Sequence, residues 1–132
     1  MREFRFDPSE KSPVVSSILI GPSGVRRVAL FFDTGAALTQ IHASVLARIG
    51  YDSKSEVGKA TMIGAGGERH DGVLIRLQRI ISLGTRIENL LVGAFDFSEL
   101  AESGVDGLLG WDFIKQLHLE MHGPNGILKI YR

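Results

Sequence analysis

The sequence has 132 residues with 15 basic and 15 acidic side chains, so its formal net charge is zero, and it contains no cysteine. This length predicts a single domain with one core. The balanced charge argues against a nucleic-acid or membrane-surface partner, and the absence of cysteine excludes disulfides, thiolate nucleophiles and cysteine-ligated metals. We therefore expect a soluble, cytoplasmic protein.

The first residues, MREFRFDPSEKSP, are charged and have no apolar centre, so they do not resemble a signal peptide. No apolar run approaches the roughly 20 residues of a membrane-spanning helix. We expect residues 1–12 to be a flexible segment and residues 13–132 to form the single folded domain.

In chain order, short strands rich in branched and aromatic residues alternate with glycine and proline turns. Residues 14–20 and 25–32 flank Gly-Pro-Ser-Gly and predict a hairpin. A brief strand over 37–41 and a short helix ending at Gly50 come next. We predict further strands on both sides of a glycine-rich tip near residue 65 and at 87–92, then a short apolar strand running into a helical turn within 106–117, and finally a hairpin over 118–131. This spacing favours a closed or nearly closed all-β fold with one or two short helices.

The stretch ALFFDTGAAL places one carboxylate, Asp33, at the end of an apolar run. A turn is the simplest interpretation, because Asp, Thr and Gly are common turn residues. However, an acid between two apolar segments is costly to bury unless it is paired or hydrogen-bonded, and such acids are often functional. Asp33 is therefore the candidate catalytic residue.

The stretch MIGAGGERH contains Gly64, Gly66 and Gly67. It is not a dinucleotide or phosphate loop, because Arg69 stands where a third glycine is needed and no Gly-Lys-Ser/Thr follows. Two interpretations remain open: a mobile surface turn, or a lid over a functional site.

The histidines do not predict a metal site. His118 and His122 are four residues apart, but apolar residues alternate with polar ones around them, which indicates a strand with one solvated face. His42 and His70 have no neighbouring acid or hydroxyl pattern that would suggest a proton relay. We expect no metal and no cofactor.

Together, ALFFDTGAALTQI, MIGAGGERH and VDGLLGWDFI resemble the retropepsin family of aspartic proteases, the retroviral type with bacterial relatives. The resemblance extends from about Val14 to the C-terminus. It implies an acid-protease barrel that carries a flap hairpin. Trp111 departs from it, because the retroviral enzymes usually place an arginine there, and the C-terminal GILKIYR need not form the same dimer sheet.

The resemblance also implies roles for individual residues. Asp33 matches the catalytic acid. A flap over about Lys59 to Val73 would contact substrate. The residues expected to support the active site are Thr34, Gly35, Ala36, Leu108, Leu109 and Gly110, and those expected in the flap are Met62, Ile63, Gly64, Ala65, Gly66 and Gly67.

Aspartic proteases use two close carboxylates that share one proton, whereas this sequence offers one suitable Asp. The other acids that we weighed lie in turn or helix-start contexts or lack a following Thr or Ser; they are Asp52, Asp71, Asp96, Asp106 and Asp112. A two-fold homodimer would supply the second carboxylate from another Asp33. We thus expect a homodimeric aspartic endopeptidase with a polypeptide substrate.

Two other functions were weighed. A phosphotransferase of the haloacid dehalogenase type also places an aspartate after an apolar strand, but its Asp-x-Asp pattern fails at Gly35 and the chain is short for that fold. A dimerisation or peptide-binding module with the same fold and no turnover is the stronger alternative.

Overall fold

The computed structural model describes residues 1–64, 66–96 and 103–132. Within them the chain is mostly strand, with two short α-helices, α1 (Ala43–Arg48) and α2 (Trp111–Ile114). The ten strands are β1 (Arg2–Arg5), β2 (Val14–Gly21), β3 (Gly24–Phe32), β4 (Gln40–His42), β5 (Glu56–Ile63), β6 (Arg69–Ser82), β7 (Thr85–Phe95), β8 (Gly107–Leu109), β9 (His118–His122) and β10 (Ile127–Tyr131).

Six of these strands close into a barrel in the order β2-β3-β8-β4-β7-β6, and β6 returns to pair with β2. The closing ladder runs from Ser17 opposite Ser82 to Ile20 opposite Arg79. Two pairings, β3 with β8 and β4 with β7, are parallel, and the rest are antiparallel. The predicted all-β barrel with short helices is confirmed.

Successive side chains of a strand point to opposite faces, and the inward-facing side chains fill the barrel interior. Leu19, Leu30, Ile41, Leu77 and Leu109 are all 0% exposed. Burying each such side chain contributes roughly 1.5–3 kcal/mol relative to leaving it in water. The apolar runs from which we predicted the strands therefore form one continuous core.

A second sheet has the order β1-β10-β9. Both edges of β10 are paired within the chain, because Arg2 to Arg5 lie opposite Ile130 to Ile127 and β9 lies on the other side. Sequence reasoning missed β1, since four residues with three charges carry no strand pattern. The division of the chain into a flexible segment 1–12 and a domain 13–132 remains a prediction, and the β1 ladder ties residues 2–5 to the last strand.

We expected no acid or hydroxyl beside His42, and the structure places one of each there. His42 caps α1, because its Nδ1 accepts from the backbone N–H of Ser44 (3.1 Å) and lies 2.9 Å from the Ser44 hydroxyl. Its Nε2 lies 3.3 Å from the Asp96 carboxylate. The parallel pairing of His42 with Phe95 brings Asp96 alongside, which the sequence separation of the two residues concealed.

Candidate active site

Asp33 directly follows β3 and enters a short loop at one end of the barrel. Its backbone N–H donates to the carbonyl of Leu109 in the parallel strand β8 (3.0 Å). The backbone N–H of Gly35 donates to the Asp33 carboxylate oxygen Oδ1 (2.9 Å). The carboxylate is therefore held at the end of the strand by its own loop, while its residue is only partly buried.

The segment after β8 braces this loop. The N–H of Trp111 donates to the carbonyl of Ala36 (2.7 Å), and the N–H of Gly110 donates to the Thr39 hydroxyl (3.0 Å). A β-carbon at Gly110 would lie 2.6 Å from the carbonyl carbon of Leu38, which explains why glycine is needed there. Thus Leu109 and Gly110 contact the Asp33 loop, and their supporting role in catalysis stays a prediction.

Asp112 secures the same loop from the start of α2. Its carboxylate accepts from the Thr39 N–H (3.0 Å to each oxygen), the Thr39 hydroxyl (2.7 Å) and the N–H of Phe113 (2.8 Å). Thr39 is 0% exposed, so these bonds satisfy polar groups that water cannot reach. The sequence analysis considered Asp112 only as an acid near a helix start and missed its contact with Thr39, because 73 positions separate the two residues.

A cleft of about 340 Å³ lies beside Asp33. Among the described residues that line it, Asp33 is the one titratable side chain, and the others are mostly apolar. The lining comprises Asp33, Gly35, Ala36, Ala37, Leu38, Gln40, Ala60, Thr61, Met62, Ile63, Phe95 and Leu108. The cleft therefore has the size and character of a binding groove with one acid in its wall.

One wall of the cleft comes from β5, the first strand of the β5–β6 hairpin. In this hairpin Lys59 pairs with Val73, and these are the two predicted ends of the flap. Met62 and Ile63 line the cleft, whereas Gly64, Gly66 and Gly67 do not. At the tip, the N–H of Gly67 donates to the carbonyl of Gly64 (2.9 Å). The prediction for Ala65 falls outside the described residues.

Gly66 and Gly67 differ in backbone conformation. Gly67 has φ = +85°, a region that residues with a β-carbon rarely adopt, while Gly66 is not among the positive-φ residues. The requirement for glycine is therefore conformational at Gly67 and not at Gly66.

Asp71 of β6 contacts Arg69 in its own strand and Thr61 in the neighbouring strand β5. The Asp71 carboxylate accepts from Arg69 Nε (3.0 Å) and from the Thr61 hydroxyl (3.3 Å). The hydrogen bond and positive charge of Arg69 hold the pKa of Asp71 below its ordinary value. These exposed contacts connect the cleft-lining Thr61 to the outer face of the hairpin.

Thr34 does not line the cleft. It lies on an apolar face around a depression of about 430 Å³, in which Trp111 is 47% and Met121 43% exposed. The lining of this face comprises Phe32, Thr34, Trp111, Ile114, Leu117, His118, Leu119 and Met121. Adjacent residues Asp33 and Thr34 therefore border two different surfaces, a cleft and an apolar face.

Each of the other acids that the sequence offered has a hydrogen-bond or ion-pair partner of its own. Asp106 accepts from the backbone N–H of Ala29 (2.9 Å), and Asp52 caps a short 3-10 turn. Asp71, Asp96 and Asp112 contact Arg69, His42 and Thr39 respectively. None of these five lines the cleft of Asp33.

The described part of the chain brings together no group of three potential metal ligands. His118 and His122 lie in strand β9, and His122 Nε2 is 3.1 Å from a Glu120 oxygen. This bond contributes most to lowering the pKa of Glu120. None of the helices in the described ranges is long and apolar enough to cross a membrane.

The fold and the Asp-Thr-Gly loop define the class of protein. A crystal structure of a retropepsin-like aspartic protease from Rickettsia conorii superposes with a TM-score of 0.69, covering 98% of this chain and 89% of that one at 16% identity. At this identity the likeness shows a shared fold.

The family is shown by sequence. A family model described as aspartyl protease matches residues 18–113, well over half of the chain, so the protein belongs to the aspartyl protease family. It is an aspartic-type peptidase, and its substrate is a polypeptide. No curated protein sequence matches the chain.

Proposed function

We propose that the protein is an aspartic endopeptidase whose active site is completed by a homodimer, with Asp33 and the partner subunit's Asp33 as its two catalytic carboxylates. The observation that carries this proposal is that, among the described residues of the cleft, Asp33 is the only acid. Two carboxylates are needed for this chemistry, and none of the other acids considered above lines the cleft.

The apolar face supports the choice of partner. Trp111 and Met121 expose large apolar side chains beside Thr34, the residue that follows the acid. Contiguous exposed apolar surface is typical of interaction sites. A second copy that covers this face around a two-fold axis would bring the two Asp33 loops together, because a two-fold contact joins the same patch on both chains.

The reaction follows from two carboxylates that share one proton at a separation of about 3 Å. The ionised carboxylate takes a proton from a water molecule as the water oxygen attacks the peptide carbonyl carbon. The protonated carboxyl gives its proton to the carbonyl oxygen, so a neutral tetrahedral diol forms. The carboxyl that took the water proton then protonates the nitrogen as the C–N bond breaks, and the other carboxylate takes a proton from a diol hydroxyl, which yields a carboxylic acid and an amine and restores the shared proton.

The remaining predicted residues have supporting roles in this proposal. Gly35 and Ala36 keep the carboxylate in its loop, Leu109 and Gly110 brace that loop from β8, and Leu108 lines the cleft. The hairpin acts as a flap in which Met62 and Ile63 contact substrate while Gly64, Gly66 and Gly67 form the tip. Thr34 lies at the subunit contact.

A subunit-mixing experiment tests the shared site. Wild-type chain at fixed concentration is allowed to exchange with Asp33→Asn chain before peptide cleavage is measured. If each site needs two Asp33 carboxylates, one equivalent of variant lowers activity to about one half and three equivalents to about one quarter, by mass action.

Asp7→Asn is the matched control, because it makes the same change at an exposed carboxylate that contacts Ser9. Added Asp7→Asn chains should raise total activity, since they form complete sites. Wild-type activity that stays constant as Asp33→Asn chains are added would show that one chain holds a complete site, and the homodimer proposal would then be wrong.

A further inference from the structure

Gln40 presents a buried amide in the wall of the cleft. It is the first residue of β4, is 8% exposed, and its side-chain oxygen Oε1 has no hydrogen-bond partner among the described residues. Nearly all buried polar atoms in folded proteins are paired, and an unpaired one destabilises the folded state. A buried unpaired acceptor beside an active site therefore calls for an explanation by function.

The strand register shows which way this side chain points. Gln40 lies opposite Leu108 of β8 in an antiparallel pair, and opposite residues place their side chains on the same face. Leu108 lines the cleft, and so does Gln40. The next residue, Ile41, is 0% exposed in the core on the other face. The Gln40 amide therefore belongs to the cleft and not to the core.

The surroundings of the amide are apolar. Ala36, Leu38, Met62, Phe95 and Leu108 are among the residues that form the cleft wall with it. Thr61 is the other neutral polar side chain in the described lining, and its hydroxyl already lies 3.3 Å from Asp71. An apolar recess with one unpaired amide accepts a ligand group that fills it and also hydrogen-bonds.

We propose that Gln40 is a specificity-determining residue that hydrogen-bonds an uncharged polar side chain of the substrate, namely Ser, Thr, Asn or Gln. This inference rests on the proposed function of the cleft. A substrate O–H or N–H donates to Oε1, and the oxygen of the same substrate group accepts from Nε2. Lysine and arginine are disfavoured, because the apolar wall would desolvate their charge.

The preference for a polar over an apolar substrate side chain should be strong for the effect of a single hydrogen bond. A site that is built to hydrogen-bond a substrate group rejects an analogue without that group, since the buried amide is then left unpaired. One such bond corresponds to a preference of about 5- to 30-fold in kcat/KM for Thr over the isosteric Val, or for Asn over Leu.

Gln40→Met separates this role from a structural one. Methionine has a similar length and no group that must be paired, so the variant should keep or gain thermal stability if the amide is unpaired in the folded protein. A Gln40 that holds the fold together would instead cost stability when replaced. Gln78→Met is the matched control, because Gln78 is exposed on β6 and its backbone N–H, which the change leaves in place, is the group that donates to Tyr51.

The test measures kcat/KM for peptides that differ only by Thr/Val or Asn/Leu at each position around the cleaved bond. At one position, wild type and Gln78→Met should show the polar preference, and Gln40→Met should lose or reverse it while its melting temperature does not fall. Equal preferences in wild type and Gln40→Met, or a clearly lowered melting temperature, would overturn the proposal.

The same peptide pairs are titrated by calorimetry against Asp33→Asn and against Asp33→Asn/Gln40→Met. A polar preference in binding that Gln40 controls supports the inference even without turnover, and equal affinities refute it. Absence of Asp33-dependent cleavage in the wild type refutes the proposed function instead.

Discussion

The loop that carries Asp33 and strand β5 line one cleft, but this loop and the tip of the β5–β6 hairpin are held in different ways. Hydrogen bonds from β8, from the residue after it and from Asp112 fix the loop to segments more than 70 residues away. The tip is closed by the local bonds of Gly64 with Gly67 and Glu68. We therefore expect the loop to hold the reacting group rigidly. We expect the locally held hairpin to move and admit the substrate.

The largest expected effect comes from removing the acid from the rigid loop. Asp33→Asn should lower kcat by roughly 1,000-fold or more, because an amide cannot take or give the shared proton. Its oxygen can still accept from the Gly35 N–H, so the fold should remain. Peptide cleavage and far-UV circular dichroism check this together. Near-wild-type cleavage by the variant would refute the role of Asp33.

Loosening the loop should have the next largest effect. Asp112→Ala leaves the buried N–H and hydroxyl of Thr39 without their acceptor and should cost about 2–3 kcal/mol in the free energy of unfolding. Asp112→Asn is the control, since its carbonyl can retain one of these bonds and should cost less. Urea unfolding measures both variants. Equal, small losses would mean that the loop is held by its backbone bonds alone.

The hairpin tip offers a matched pair of glycines. Gly67→Val should lower kcat/KM by about tenfold, because a branched residue is strained at positive φ and alters the tip that must open and close. Gly66→Val should change it by less than about threefold, since only a flexible Glu68 carboxylate lies near its added β-carbon. Steady-state kinetics of the two variants tests the difference. The same kinetics in both would show that the tip is an ordinary surface turn.

The smallest expected effect concerns protonation within the rigid loop. Two carboxylates that share a proton predict a bell-shaped dependence of kcat/KM on pH. Ala36 lines the cleft beside Asp33, and Ala36→Ser would add a hydroxyl that can donate to the ionised carboxylate. Stabilising the charged form moves the acidic limb to lower pH, by about 0.5 unit. A folded serine variant whose acidic limb stays in place or moves upward would contradict this.

Most of the fold could be predicted from local patterns. The branched and apolar runs that became β2, β3, β9 and β10 are recognisable because strand burial repeats every two residues. The Asp-Thr-Gly loop and the glycine-rich hairpin were found as motifs. Strand β1 was missed, since its charged residues owe their conformation to pairing with β10.

The candidate site was predicted in part. The sequence pointed to Asp33 through its position after an apolar strand, and to Met62 and Ile63 through the flap resemblance. It also assigned Thr34 to the active-site support, which stays a prediction; the structure places Thr34 on the apolar face and not in the cleft. Gln40 and Phe95 gave no signal, because an amide in a short strand and a phenylalanine at a strand end are unremarkable until the barrel closes.

The sequence by itself determined the strand pattern, the single acid in its motif and the resemblance to the retropepsin family, since all of these depend on neighbouring residues. Only the tertiary structure decided that Asp112 secures Thr39, that Gln40 faces the cleft with an unpaired oxygen, and that Asp33 and Thr34 border separate surfaces. The physical reason is that these relations depend on strand register and barrel closure, which bring distant residues within hydrogen-bond distance, and no local pattern encodes that proximity.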